Sequence, residues 1–226
     1  RLAAVPPHKA RYGEACDYLE REIRKLGVDI HLNAAVTEVE LDSRKPDAVI
    51  LATGSVPFIP PIQGLSGGGA VLVDDVLEGR APVGRRVAII GGGAIGAETA
   101  HLLVEEEDRE VYLIEMRDGI AVDLPQDARI CLLHAFEQTP SLHQITNAKV
   151  TAVTPESITL ERQGQTEVVD RLDTIILAVG ARPNQGLRPA LEALGIPFLV
   201  SGDATGPKDY VKAIYEGFVA GNTIAE

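Results

Sequence analysis

Apolar positions along this chain switch between two periods. From 11 to 26, RYGEACDYLEREIRKL places Tyr12, Cys16, Leu19, Ile23 and Leu26 on one helical stripe with charges opposite. Gly27 follows where a left-handed C-cap is wanted. VDIHL, AVTEVEL and DAVILA then read as three short strands, the last apolar nearly throughout, as a strand buried on both faces is. Between 54 and 84 the chain is rich in Gly and Pro, which predicts a connector and a domain boundary. Its SGGG has neither a strand before it nor a helix start after it, which argues against a phosphate loop there.

From 86 onward the pattern sharpens. RVAII is a buried strand, AIGAETAHLLVEEE a helix and EVYLIE a second buried strand. A helix over PQDARICLLHAFEQ and a strand near LHQIT come next. AKVTAVT, SITLER and TEVVD, separated by TPE and QGQ, predict a small antiparallel meander. TIILAVG is again a buried strand, followed by a helical LRPALEALG, the segment FLVSGDA and a helical YVKAIYEGFVAGNTIA. Strands alternating with helices in this way predict an α/β fold, a parallel sheet with helices on both faces.

Composition narrows the function. The 226 residues fit one large or two small domains. With 21 Lys plus Arg against 33 Asp plus Glu, the net charge is -12, a surface that repels nucleic acid and anionic membranes. There is no Trp and aromatics make up 4%, so a stacking platform for single strands is not built here. No apolar run approaches the roughly 18 residues of a membrane span. Cys16 and Cys131 form no CxxC and read as small buried hydrophobes in a reducing, cytoplasmic setting. The five histidines form no triad or metal spacing, so neither a metal site nor a catalytic acid or base is expected.

The chemistry-bearing motif is GGGAIG at 91 to 96, set between the strand at 86 to 90 and a helix. Gly91 suits the tight turn, Gly93 the close approach of backbone to a pyrophosphate, and Gly96 close helix–sheet packing. Gly92, Ala94 and Ile95 complete the turn, whose helix N-terminus presents free N–H groups and a partial positive charge. Glu115 ends the second strand, 24 residues after Gly91, where an acid accepts hydrogen bonds from the adenosine ribose. An acid there opposes the extra phosphate of NADP and favours NAD(H). Arg117 is of the type that could meet a 2′-phosphate, but it reads first as a solvated loop charge. Glu98, in the first helical turn, suits the helix dipole or faces the nicotinamide side of the site.

DAVILATGSVP at 47 to 57 and DTIILAVGARP at 173 to 183 repeat one pattern at an offset of 126 residues. Together with RVAIIGGGAIGAETA, the acid-ended second strand and the late SGDA, they resemble the two-dinucleotide-fold flavoproteins, the group of pyridine nucleotide-dependent disulfide reductases and ferredoxin reductases. KPDAVILATGS, YLIEM, ITNAKV, DTIILAVGARPN and AIYEGFVAG are similar to the C-terminal half of NADH:flavin oxidoreductases related to 2,4-dienoyl-CoA reductase. That resemblance implies a Rossmann-like NAD(P)-binding domain over 82 to 182, inserted in an incomplete FAD-binding domain formed by 1 to 81 and 183 to 226. It assigns Thr53, Gly54, Gly202 and Asp203 to the FAD surroundings, Asp203 toward the ribityl chain, and adds Met116, Val179 and Gly180 to the dinucleotide site. It implies that the first glycine fingerprint lies before residue 1, with an N-terminal barrel that binds FMN and an iron-sulfur cluster further upstream. FAD binding by this chain alone is then weak or absent.

Two departures stand out: Asp108 replaces the usual Gly between helix and strand, and TPSLHQIT lacks the usual Gly before its strand. Three readings stay open: a module passing hydride from NADH to FAD, a piece of an NADH oxidase or ferredoxin reductase, and a structural domain that holds ADP.

Overall fold

A computed structural model describes residues 1–105 and 109–224. In chain order the elements are α1 (Arg11–Lys25), α2 (Glu38–Arg44), β1 (Val49–Leu51), β2 (Ser55–Pro57), β3 (Val71–Leu72), α3 (Val73–Leu77), β4 (Arg86–Ile90), α4 (Ala94–Glu105) and β5 (Glu110–Ile114). They continue with α5 (Gln126–Glu137), β6 (Leu142–Ile145), β7 (Ala148–Thr154), β8 (Ser157–Arg162), β9 (Gln165–Val169), β10 (Thr174–Leu177), β11 (Ala181–Pro183), α6 (Arg188–Leu194), β12 (Phe198–Val200) and α7 (Tyr210–Thr223). The departure at Asp108 lies outside the described residues.

The chain divides into two compact units, one of residues 1–28 and 59–180, the other of 29–58 and 181–226. The first is built on a five-stranded parallel sheet of order β3-β10-β4-β5-β6. Strand periodicity sends Val87, Ile89, Val111, Leu113 and Ile176 to one face, where they pack on Ala97, Ala100 and Leu103 of α4 and on Leu132 and Phe136 of α5. Ala88, Ile90, Ile114, Ile175 and Leu177 point the other way and meet Val150, Val153, Ile158 and Leu160 of the antiparallel meander β7-β8-β9. Helices therefore cover one face of the sheet, and the meander takes the place of the helices expected on the other. The SGGG stretch is part of a packing turn against this meander: a Cβ on Gly69 would stand 2.8 Å from the Gly64 carbonyl oxygen and 3.2 Å from Val153 Cγ1.

Helix α1 forms as its stripe predicts and ends at Gly27 with φ 72°. It has no buried residue, and Tyr12, Leu19, Ile23 and Leu26 are exposed. Cys131 is exposed and Cys16 half-buried, so neither is the fully buried hydrophobe expected.

In the second unit, Val49–Leu51 pairs in parallel with Phe198–Val200. Leu41, Leu51 and Leu191 form its buried centre. Here two expectations fail. AVTEVEL forms no strand; its second half opens α2. Thr37 Oγ1 accepts from the Glu40 N–H at 3.3 Å, and the Glu40 carboxylate accepts from the Thr37 N–H at 3.0 Å. This capping box nucleates a helix that a two-residue alternation masks. VDIHL carries no strand either, and Val28 and Leu32 are exposed. No helix among the described residues is long and apolar enough to cross a membrane.

Candidate functional site

The GGGAIG turn joins β4 to α4, as its flanks predict. Its four glycines answer to different constraints. Gly91 has φ 106°, and a Cβ there would lie 2.4 Å from the Ala178 carbonyl oxygen. At Gly96 a Cβ would stand 1.9 Å from the Gly91 carbonyl oxygen, and at Gly92 it would meet Ile120 Cδ1 at 2.6 Å and Glu115 Cβ at 2.8 Å. These three positions lack a side chain because the protein itself fills the space. Gly93 differs: its nearest neighbours would be the Asp123 carboxylate at 3.2 and 3.6 Å and Arg117 Nη2 at 3.7 Å, all flexible side-chain ends. Packing against backbone does not demand glycine at 93, whereas close approach of a phosphate does.

Glu115 stands immediately after β5 and is 6% exposed. Its Oε2 accepts from the Gly92 N–H at 2.7 Å. Its Oε1 accepts from the Arg117 N–H at 2.8 Å and from Arg117 Nε at 3.1 Å. Burial pushes the carboxyl up, but the N–H groups of Arg117 and Gly92 and the Arg117 guanidinium outweigh it and hold the carboxyl below its ordinary value. Of the roughly four lone-pair positions of a carboxylate, three are used and one on Oε2 remains for a hydroxyl donor. Arg117 is thereby tied back to Glu115, its Nη2 directed toward Gly93. Met116 between them is exposed. Ala94 opens α4, and its N–H donates to Asp123 Oδ1 at 2.9 Å. Ile95 is exposed at the helix start.

After β10, Val179 packs half-buried against the meander side of the core, and Gly180 has φ 95°. Glu98 forms an ion pair with Lys9 and is half-buried, so its charge has a partner within the same unit.

The remaining expected residues gather in the second unit, where the C-terminal ends of the two copies of the repeated pattern, 126 residues apart in the chain, pair with each other. β2 and β11 pair antiparallel, Ser55 opposite Pro183. Thr53 Oγ1 donates to the Asn184 carbonyl, and the Asn184 N–H donates to the Gly54 carbonyl at 2.9 Å. Gly54 has φ 70° with open space around it, like Gly180 in the other copy, so both are glycines for their backbone angle. Asp203 accepts from Ser55 Oγ at 3.4 Å and from the Lys208 N–H at 3.3 Å. The Gly202 N–H donates to Glu216 on α7 at 2.9 Å.

Sequence reading missed Asp123, Ser55 and Glu216. Ser55 was visible in the ATGS wording. Asp123 and Glu216 reach their partners across 29 and 14 residues of chain, and nothing in the local pattern marks them.

Residues 41–206 match the Pyridine nucleotide-disulphide oxidoreductase family. The chain is 35% identical over 224 residues to a bilirubin reductase of Mediterraneibacter gnavus, covering 99% of this chain and 34% of that protein. It is 31% identical over 223 residues to an NADH oxidase of Thermoanaerobacter brockii, covering 96% of this chain and 34% of that one. Among solved structures, a 2-naphthoyl-CoA reductase in complex with 2-naphthoyl-CoA superposes with a TM-score of 0.88 at 25% identity, over 97% of this chain and 33% of that one. The chain thus spans about a third of the length of these relatives. With its glycine turn, acid-ended strand and a family match over most of its length, this chain belongs to the pyridine nucleotide-disulphide oxidoreductase family.

Proposed function

We propose that this chain is the pyridine-nucleotide-binding portion of a flavin-dependent oxidoreductase, docking NADH so that its hydride reaches FAD in the intact protein. The observation that carries the reading is the pairing of Gly93, a glycine unexplained by backbone packing, with the buried Glu115 acceptor. The α4 N-terminus would face the pyrophosphate, with Gly93 giving it room, and Glu115 would accept from the adenosine ribose. Glu115, an acid at the end of β5, opposes a 2′-phosphate, which supports NADH over NADPH, and Arg117 Nε is engaged by that same acid. The nicotinamide supplies the hydride when bound; the protein contributes position and electrostatics, and no side chain of this segment need act as acid or base.

In this reading residues 82–182 form the NAD(P)-binding domain, and 1–81 with 183–226 part of an FAD-binding domain. Thr53, Gly54, Gly202 and Asp203 line the flavin side. A two-stranded parallel sheet and exposed apolar residues on α7 (Val211, Tyr215 and Phe218) support continuation of that second fold by chain outside this sequence. The wording shared with relatives of 2,4-dienoyl-CoA reductase supports an upstream barrel carrying FMN and an iron-sulfur cluster and weak FAD binding by this chain alone, and two cysteines without a CxxC support a reducing, cytoplasmic setting. The similarity to an NADH oxidase keeps that activity as the alternative for the whole protein.

A second reading is favoured by where the polar groups lie. Gly93 and Glu115 serve the half of the ligand that NADH shares with ADP, so a domain that merely holds ADP uses the same contacts. Titration of the chain with NADH, NADPH and ADP separates them. NADH binding tighter than ADP and much tighter than NADPH, weakened about tenfold or more by Glu115→Ala, is the expected result. Equal affinity for ADP and NADH would transfer the conclusion to the structural domain, and no binding at all would end both.

A further inference from the structure

The segment after Glu115 folds back over the glycine turn and is fixed there. The Ala121 N–H donates to the Gly92 carbonyl at 2.7 Å, and Ala121 is fully buried at φ 52°, a conformation a non-glycine residue adopts only when its surroundings hold it. Ile120 packs on Gly92, and Arg129 Nε donates to the Ile120 carbonyl at 2.8 Å. The Leu124 N–H closes a turn on the Ala121 carbonyl at 3.1 Å. What this latched segment presents to the turn is the carboxylate of Asp123. One oxygen takes the Ala94 N–H at 2.9 Å, and the other stands 3.2 Å from where a Cβ of Gly93 would be.

That is the position in which the dinucleotide reading places a phosphate. A carboxylate there satisfies a helix-terminal N–H and complements the dipole. It also puts negative charge beside the pyrophosphate of an incoming ligand. We propose that Asp123 is an internal surrogate for the ligand's phosphates, competing for the Ala94 N–H and setting the affinity of the turn for pyrophosphate-bearing ligands. The consequence is weaker binding of reduced and oxidised dinucleotide alike, and faster exchange of one for the other. The inference rests on the dinucleotide reading above.

The test compares wild type, Asp123→Asn and Asp123→Ala in titrations with adenosine, ADP and NADH. Asparagine keeps an oxygen to cap Ala94 but removes the charge, so the fold is retained. Expected for Asp123→Asn is roughly tenfold tighter binding of ADP and NADH, with adenosine unchanged and the gain shrinking as salt is raised. ADP affinity unchanged or weakened in both variants overturns it and leaves Asp123 an ordinary helix cap, while the dinucleotide reading survives. If wild type and both variants bind neither ADP nor NADH, both fall together.

Discussion

A methyl group on Gly93 and one on Gly96 interrogate different things. On Gly93 it meets only the ends of Asp123 and Arg117, which can swing aside, so Gly93→Ala is expected to keep wild-type stability while losing ADP and NADH affinity by an order of magnitude or more. On Gly96 it lands 1.9 Å from a backbone oxygen, and Gly96→Ala is expected to cost about 2–4 kcal/mol in urea denaturation. Glu115 makes a pH-dependent prediction. Its carboxyl is held below its unfolded value, so its stabilisation is present above about pH 4.5 and is lost as pH falls through the lower folded value. Replacing it with Ala leaves the Gly92 and Arg117 N–H groups without their acceptor, which costs about 1–3 kcal/mol at pH 7. The gap to wild type narrows on acidification below pH 4, as denaturation at the two pH values will show. At this scale the fingerprint glycines and Glu115 were legible because their spacing encodes a local strand–turn–helix. Asp123 and Glu216 were not, because each acts on a partner that only folding brings near.

Elements were legible where a run was long or continuous. RVAII, EVYLIE and TIILAVG carry unbroken apolar stretches and became the parallel strands β4, β5 and β10. The meander followed from its turn residues. The side of the sheet it would cover did not, since that depends on which alternate residues of the buried strands find it. The failure at 35 to 41 has a clear cause: AVTEVEL satisfies a strand alternation and a capping box at once, and the reciprocal Thr37–Glu40 bonds decided for helix. Thr37→Ala removes the side-chain half of that box and is expected to cost about 1 kcal/mol. The amides of α2 should then exchange faster, with β4 and β5 unaffected. If their protection is unchanged, Leu41 packing on Leu51 and Leu191 holds α2 without the cap.

At the scale of the whole molecule, the two units differ in what they bury. The first has two extended apolar clusters, one on each face of its sheet, whereas Leu41, Leu51 and Leu191 alone are fully enclosed in the cluster of the second. The amides of β4, β5 and β10 are therefore expected to outlast those of β1 and β12 in hydrogen exchange. NADH at a hundred times its dissociation constant should raise the protection of the first unit by about 2.7 kcal/mol and leave the second unmoved. Uniform stabilisation of both would show that they unfold as one. Each unit is also assembled from two stretches of chain, the second from 29–58 and 181–226. On the ribosome, Val49–Leu51 is therefore made about 150 residues, roughly 7–30 s at ordinary rates of synthesis, before the strand it pairs with here. The second unit is thus the later of the two to close, because its β1–β12 pairing is a contact of high sequence separation that forms only after the strands of the first unit have been made.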